Sequence, residues 1–142
     1  NVSSISLLLE YKGRKIFLAG DAFSYDIVSG FHSVSPNRRL HLDVFKLPHH
    51  GSKNNVRKEL IESVDCDRWL ISTDGTRFKH PDAEAIARII SFSTFVHPLL
   101  SFNVPSTING WWKKAAWRNM YGYNVEYGTA DRGLKLQFDL ID

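Results

Sequence analysis

The 142 residues include 43% apolar, 13% aromatic and 23% charged side chains, a balance that fits one globular domain and excludes a fibrous or disordered chain. A domain of this length buries roughly 70% of its unfolded surface, so no disulfide or metal is needed to form a core; the single Cys66 also excludes an intrachain disulfide framework. The net charge of +3 admits an anionic partner without requiring one.

The longest apolar runs, such as residues 16–19, are far too short to cross a bilayer, and no basic-then-apolar leader stands at the start. The chain therefore reads as soluble, without a membrane segment. It begins at Asn1 and enters a strand pattern almost at once, so we expect polypeptide upstream.

Ser4 to Tyr11 and Lys15 to Ala19 read as two short strands rich in Ile, Leu and Phe, and the turn signal at 12–14 makes them a hairpin. Gly20 permits a tight exit and presents Asp21 at a strand's C-terminal edge. A loop or short helix reaches Phe31, and Leu42 to Leu47 forms the next strand, ended by Pro48. His49, His50, Gly51 and Ser52 follow, after which Asn54 or Asn55 caps a helix carrying Val56, Leu60, Ile61 and Val64.

Arg68 to Thr73 reads as a nearly continuous apolar strand broken at Asp74-Gly75. A second helix begins near Pro81, a favoured first helical position, with Ala83, Ile86, Ala87, Ile89 and Ile90 inward and His80 just before it. Residues 92–104 leave strand and irregular packing open. Asn109-Gly110 introduces a short amphipathic helix bearing Trp111, Trp112, Trp117 and Met120, and Tyr123 to Tyr127 with Leu134 to Leu140 read as a terminal strand pair. The chain forms one α/β domain over 1–142.

Three features share a topology: Asp21 after a strand, the His49-His50-Gly51-Ser52 segment after a strand, and His80-Pro81 between a strand and a helix. Strand C-terminal ends line one edge of an α/β sheet, where these side chains can converge. Carboxylate oxygen and imidazole nitrogen suit zinc, manganese or iron. Each feature also has a plainer reading: a turn aspartate, two surface histidines in a basic loop, an anion nest at Gly51-Ser52, a cap-region His80. His32, His41 and His97 lack supporting spacing, and Cys66, between Asp65 and Asp67, lacks the electropositive setting of a reactive thiol. Between Pro36 and Lys58 stand six basic residues (Arg38, Arg39, Lys46, Lys53, Arg57, Lys58) against one acidic residue, Asp43.

Taken in order, Asn1 and Ser4 before the first strand, Lys15-Ile-Phe-Leu-Ala-Gly-Asp21, Asp43-Val-Phe-Lys-Leu-Pro-His-His-Gly-Ser52, Ile71-Ser72 and His80-Pro81 resemble the second half of a metallo-β-lactamase-fold hydrolase, specifically the metallohydrolase domain of ComEC-type DNA-uptake proteins. The likeness covers about residues 1–90; its HHGS segment is specific, whereas the Gly-Asp and His-Pro pairs are weak alone. The resemblance implies the C-terminal half of a four-layer αββα sandwich, with Asp21 as the metal-bridging aspartate and one of His49 and His50 as the late ligand. We read His50 as the ligand and His49 as the catalytic substrate contact, with Ser52, Lys53 and His80 binding substrate.

The family's His-x-His-x-Asp-His segment is absent, so two zinc or manganese ions would bind only in the complete protein, which this chain joins as a half or replaces by self-association. The activity implied is metal-dependent phosphodiester hydrolysis, nuclease-like and bacterial, on nucleic acid or another phosphodiester, in the cytoplasm or as the extramembrane domain of a larger membrane protein. The alternative is a noncatalytic module that binds single-stranded nucleic acid or a protein through its basic edge and tryptophans. The segment 109–142, with its Trp and Lys residues, departs from the family pattern.

Overall fold

A computed structural model describes residues 3–141; Asn1, the first residue of the motif series above, lies outside the described residues. The fold is α/β with a mixed six-stranded sheet. Strands β1 (Leu7–Tyr11) and β2 (Arg14–Leu18) form the expected hairpin. Their two-residue turn puts Lys12 and Gly13 at φ 44° and 76°, the sign of φ at both positions that a right-twisted hairpin favours. Helix α1 (Ser24–Val34) follows, then strands β3 (Leu40–Leu42) and β4 (Val44–Lys46), helix α2 (Lys58–Glu62), strands β5 (Val64–Cys66) and β6 (Arg68–Ile71), helix α3 (Ala83–Phe92), strand β7 (Leu99–Phe102), helix α4 (Ala115–Tyr121) and strand β8 (Asn124–Tyr127). The sheet order is β1-β2-β4-β6-β7-β8, parallel except at the hairpin, and β3 pairs with β5 in a small parallel ribbon.

The expected strand Leu42 to Leu47 is thus two strands bent at Asp43. The bend is satisfied locally: the Asp43 amide donates to Lys15 O at 2.8 Å, while its carboxylate accepts the Lys15 amide at 2.7 Å and the Arg14 guanidinium at 2.8 Å. Burial pushes the Asp43 carboxyl up, but those bonds, the Arg14 charge and His41 outweigh it and hold the group below its ordinary value.

One row across the sheet, Leu8, Phe17, Phe45, Trp69, Leu100 and Val125, faces the main core by register. Phe31 of α1 packs edge-on against Phe17 at 4.7 Å, and Phe45 meets Trp69 at 5.2 Å. Ile86 and Ile89 of α3 and Leu60 and Ile61 of α2 close the same core. Burying such side chains contributes about 1.5–3 kcal/mol each. Cys66 lies in this core with its thiol pushed up to about 12 by burial, which makes it inert as a nucleophile at neutral pH.

The opposite face carries Leu7, Leu18, Lys46, Leu70, Ser101 and Glu126 in one register row. Residues 134–140 alternate inward and outward as a strand does, with Leu134, Leu136 and Phe138 half-buried. They are nevertheless no strand and do not pair with β8, whose ladder partner is β7. The segment crosses this second face instead, fastened by Arg14 donating to Asp139 O at 2.7 Å, by Arg68 over the Phe138 ring at 5.6 Å, and by Ile141 N donating to Lys12 O at 3.3 Å. Leu7 and Leu9 at the hairpin stay half exposed.

Candidate functional site at the C-terminal edge of the sheet

The chain leaves β2 through Ala19 and Gly20. Gly20 has φ 59°, and a Cβ there would stand 2.6 Å from Ile5 O and 2.7 Å from Ser4 Oγ, so the turn accepts only glycine without rearrangement. Ser4 Oγ accepts the Asp21 amide at 2.8 Å, which fixes the Asp21 backbone while its carboxylate stays exposed. The His49 amide donates to Gly20 O at 2.9 Å and joins the two strand exits directly.

His49, His50 and Gly51 have φ of 47°, 56° and 87°. The two imidazoles are therefore aimed by three successive left-handed residues and not by the alternation of a strand. Asn55 is the second correction. It caps no helix, because α2 starts later, at Lys58, with Arg57 before it. Asn55 is buried, and its Nδ2 donates to Asp21 O at 3.1 Å and Ala22 O at 3.0 Å. That orientation leaves Oδ1 as an acceptor 3.1 Å from His49 Nδ1, so the neutral His49 ring carries its proton on Nδ1. One buried amide thus ties the Asp21 turn to the histidine turn.

His50 Nδ1 lies 2.6 Å from Ser72 O, just beyond β6. A carbonyl can only accept, so Nδ1 bears the proton and the neutral ring has its lone pair on Nε2. A metal-ligating imidazole has this arrangement, with the distal nitrogen free to bind and the other held by a carbonyl.

Helix α3 begins near Pro81, as expected, but Pro81 stands before the N-cap and not at the first helical position. Asp82 is its N-cap residue and the helix runs from Ala83. Asp82 N donates to Gly51 O at 3.0 Å, Asp82 Oδ2 accepts the Lys53 amide at 2.8 Å, and Arg88 donates to Lys53 O at 2.6 Å and Val56 O at 2.8 Å. A Cβ on Gly51 would meet Pro81 Cβ at 2.8 Å, so the loop packs tightly on the helix start. His80 sets its ring edge-on against His49 at 5.6 Å. Ser52 is buried, and its hydroxyl accepts the Asn54 amide at 3.3 Å. Lys53 Nζ lies 3.0 Å from Glu84 Oε1; the hydrogen bond and charge of that carboxylate raise its affinity for a proton.

The six basic residues clustered in the sequence are dispersed in space. Arg38 and Arg39 precede β3, and Arg39 donates to Glu62 O, whereas Lys46 and Lys53 belong to the histidine end. Arg57 donates to Asn54 O, and Lys58 pairs with Glu62 and covers the Phe92 ring.

Sequence reasoning passed over Lys46 as a site residue. It stands in register between Leu18 and Leu70; burial holds its ammonium below the usual lysine range, and Asp21 opposes that shift. It also missed Asp82, although an aspartate just before a helix is a capping signal.

Asp21 and His50 supply the two donors chemically suited to a divalent ion. Among the described residues no group of three or more His, Cys, Asp or Glu side chains is placed to hold one, and a catalytic zinc takes three protein ligands. The donor set fits a metal in kind and supplies part of the number.

The tryptophans form a separate cluster. Trp112 is buried, its ring meets Trp111 at 5.0 Å and Trp117 at 5.9 Å, and Tyr123 donates its hydroxyl to Trp112 O. A groove of about 460 Å³ separates Trp111 and Trp117 from Ala87 and Ile90 of α3. No helix among the described residues is long and apolar enough to cross a membrane. No protein-family model, curated protein or solved structure matches the chain.

Proposed function

We propose that this sheet edge is the metal-bearing part of a hydrolase acting on phosphodiesters, with Asp21 and His50 as ligands and the remaining ligands supplied by polypeptide beyond the described residues. The observation that carries the reading is an exposed Asp21, its amide held by Ser4 Oγ, at the same sheet edge as a His50 whose Nδ1 is held by Ser72 O. A bound divalent ion lowers the pKa of water and stabilises charge on phosphoryl oxygens.

This chain's residues do the rest. Asn55 holds His49 by Nδ1, and when the ring also carries a proton on Nε2, that N–H is the donor to a phosphoryl oxygen. Lys46 adds a half-buried positive charge beside Asp21, where weak solvation strengthens its attraction for an anion. In the same reading, the sheet face bearing Leu7 and Leu9 packs against a second sheet, which makes the domain half of an αββα sandwich.

Titration calorimetry of the complete protein with Zn²⁺ and Mn²⁺ tests the assignment. Asp21→Ala and His50→Ala are expected to weaken binding at least tenfold, and His32→Ala to leave it unchanged. His49→Ala is expected to keep the metal and to lower phosphodiester turnover by about a hundredfold to a thousandfold. Undiminished metal binding in both ligand variants overturns the reading.

A further inference from the structure

His80 is deeply set, with 14% of its side chain exposed. Its Nδ1 is shielded from solvent and has no hydrogen-bond partner among the described residues. The nearest carboxylate oxygen is Asp82 Oδ1, at 3.6 Å. Asp82 cannot turn away easily, because its other oxygen accepts the Lys53 amide at 2.8 Å while its own amide donates to Gly51 O. The ring lies between Phe78, at 6.2 Å and 30°, and His49, at 5.6 Å and 73°.

A buried ring nitrogen facing a fixed carboxylate is better protonated than bare. The bare lone pair would meet negative charge in a poorly solvated place, whereas the N–H meets it as a donor. With Nδ1 protonated, Nε2 becomes the exchangeable atom on the ring that packs against His49. The separation of 3.6 Å is longer than a hydrogen bond, as such pairs often are before substrate closes the site.

We propose that His80 and Asp82 form an acid–base dyad in which Asp82 positions the ring through Nδ1 and His80 Nε2 supplies the proton to the leaving oxygen. The substrate in this assignment rests on the phosphodiester reading; the Nδ1–Asp82 pairing does not. In the step, water adds to phosphorus and the P–O bond to the leaving group breaks with its electron pair. The acid is the ring protonated on both nitrogens: the departing oxygen takes the Nε2 proton and leaves neutral His80 with its Nδ1–H on Asp82, and Nε2 is reprotonated by the proton released from the attacking water. Metal ligation is assigned to His50, across the turn, so His80 is free for proton transfer.

Imidazole ¹⁵N spectra of the full chain read the dyad without any turnover. The expected result is His80 protonated on Nδ1, and a switch to the Nε2–H tautomer in Asp82→Asn, whose amide can donate to Nδ1. A wild-type ring bare at Nδ1 overturns the dyad, even if Asp82→Asn fails to fold. The acid role is read from two esters of different leaving groups. His80→Gln is expected to slow a dinucleotide, which leaves as an alkoxide, at least 100-fold more than bis(p-nitrophenyl) phosphate, which needs no proton. An equal fall on both overturns the acid role. Hydrolysis of neither ester by the complete wild-type protein, with the remaining ligands present and Zn²⁺ or Mn²⁺ added, removes the phosphodiester reading and the acid role with it, while the spectra still decide the Nδ1–Asp82 pairing.

Discussion

The two ends of the parallel strands treat charge in opposite ways. At the N-terminal end, Asp43 meets Arg14 at 2.8 Å and Arg68 covers Phe138, so charge there braces the bend and the crossing C-terminal segment. At the C-terminal end, hydrogen bonds hold the Asp21 and His49 amides and His50 Nδ1, and Lys53 pairs with Glu84, while among the described residues the Asp21 carboxylate and the Lys46 ammonium make no hydrogen bond. One end uses charge as scaffold. The other holds charged groups in place by neutral bonds and keeps them available, which is how a site retains reactive groups within a marginally stable fold.

The sharpest way to break this contrast is at the scaffold end. Asp43→Ala strips a buried carboxylate from two charged hydrogen bonds and is expected to cost about 2–3 kcal/mol in urea unfolding at neutral pH. Because the folded Asp43 carboxyl lies below its ordinary value, its contribution is present above the unfolded carboxylate range and is lost as pH falls through the folded value. The gap between wild type and variant should therefore shrink by pH 3. A gap unchanged between pH 7 and pH 3 would mean that packing, and not charge, holds the bend.

At the functional end, the neutral fastenings should matter more than the charges. Asn55→Ala leaves two carbonyls and His49 Nδ1 without their amide partner, with an expected loss of about 2 kcal/mol and a shifted His49 imidazole signal. Gly20→Ala places a Cβ against Ile5 O at positive φ and is expected to lose more than about 1 kcal/mol. Lys46→Met and Asp21→Asn should each stay within about 0.5 kcal/mol of wild type, since neither removes a hydrogen bond and the former relieves a desolvated charge. A loss above 1 kcal/mol in either charge variant would erase the difference between the two ends.

Much of the architecture is legible in the sequence because it follows from local rules. The Lys12-Gly13 turn, the apolar strand at Arg68 and the strand exits at Gly20 and Pro48 are punctuated by residues whose backbone preferences leave few choices. The bend at Asp43 is not legible, because its cause is Arg14, 29 positions away. Likewise, residues 134–140 keep a strand's alternation without a ladder, since the partner they would need, β8, is taken by β7. At the candidate site, the histidine and aspartate positions stand out by type. The means of holding them does not: Asn55 satisfies every local criterion for a helix cap, and only the return of the Asp21 turn to its side gives it another use.

The succession of left-handed residues at 49–51 separates what the backbone requires from what the side chains supply. At such φ values, Gly, Asn, Asp and His are the easy occupants, and β-branched residues are excluded. A saturation library at positions 49 and 50 selected for folding alone should thus fill with those four residues, and valine or isoleucine should vanish from it. Histidine belongs to that easy set, so folding admits it twice in a row without singling it out over Gly, Asn or Asp. The same library, selected for metal retention at position 50 and for turnover at position 49, gives each imidazole a separate signature that stability alone cannot imitate.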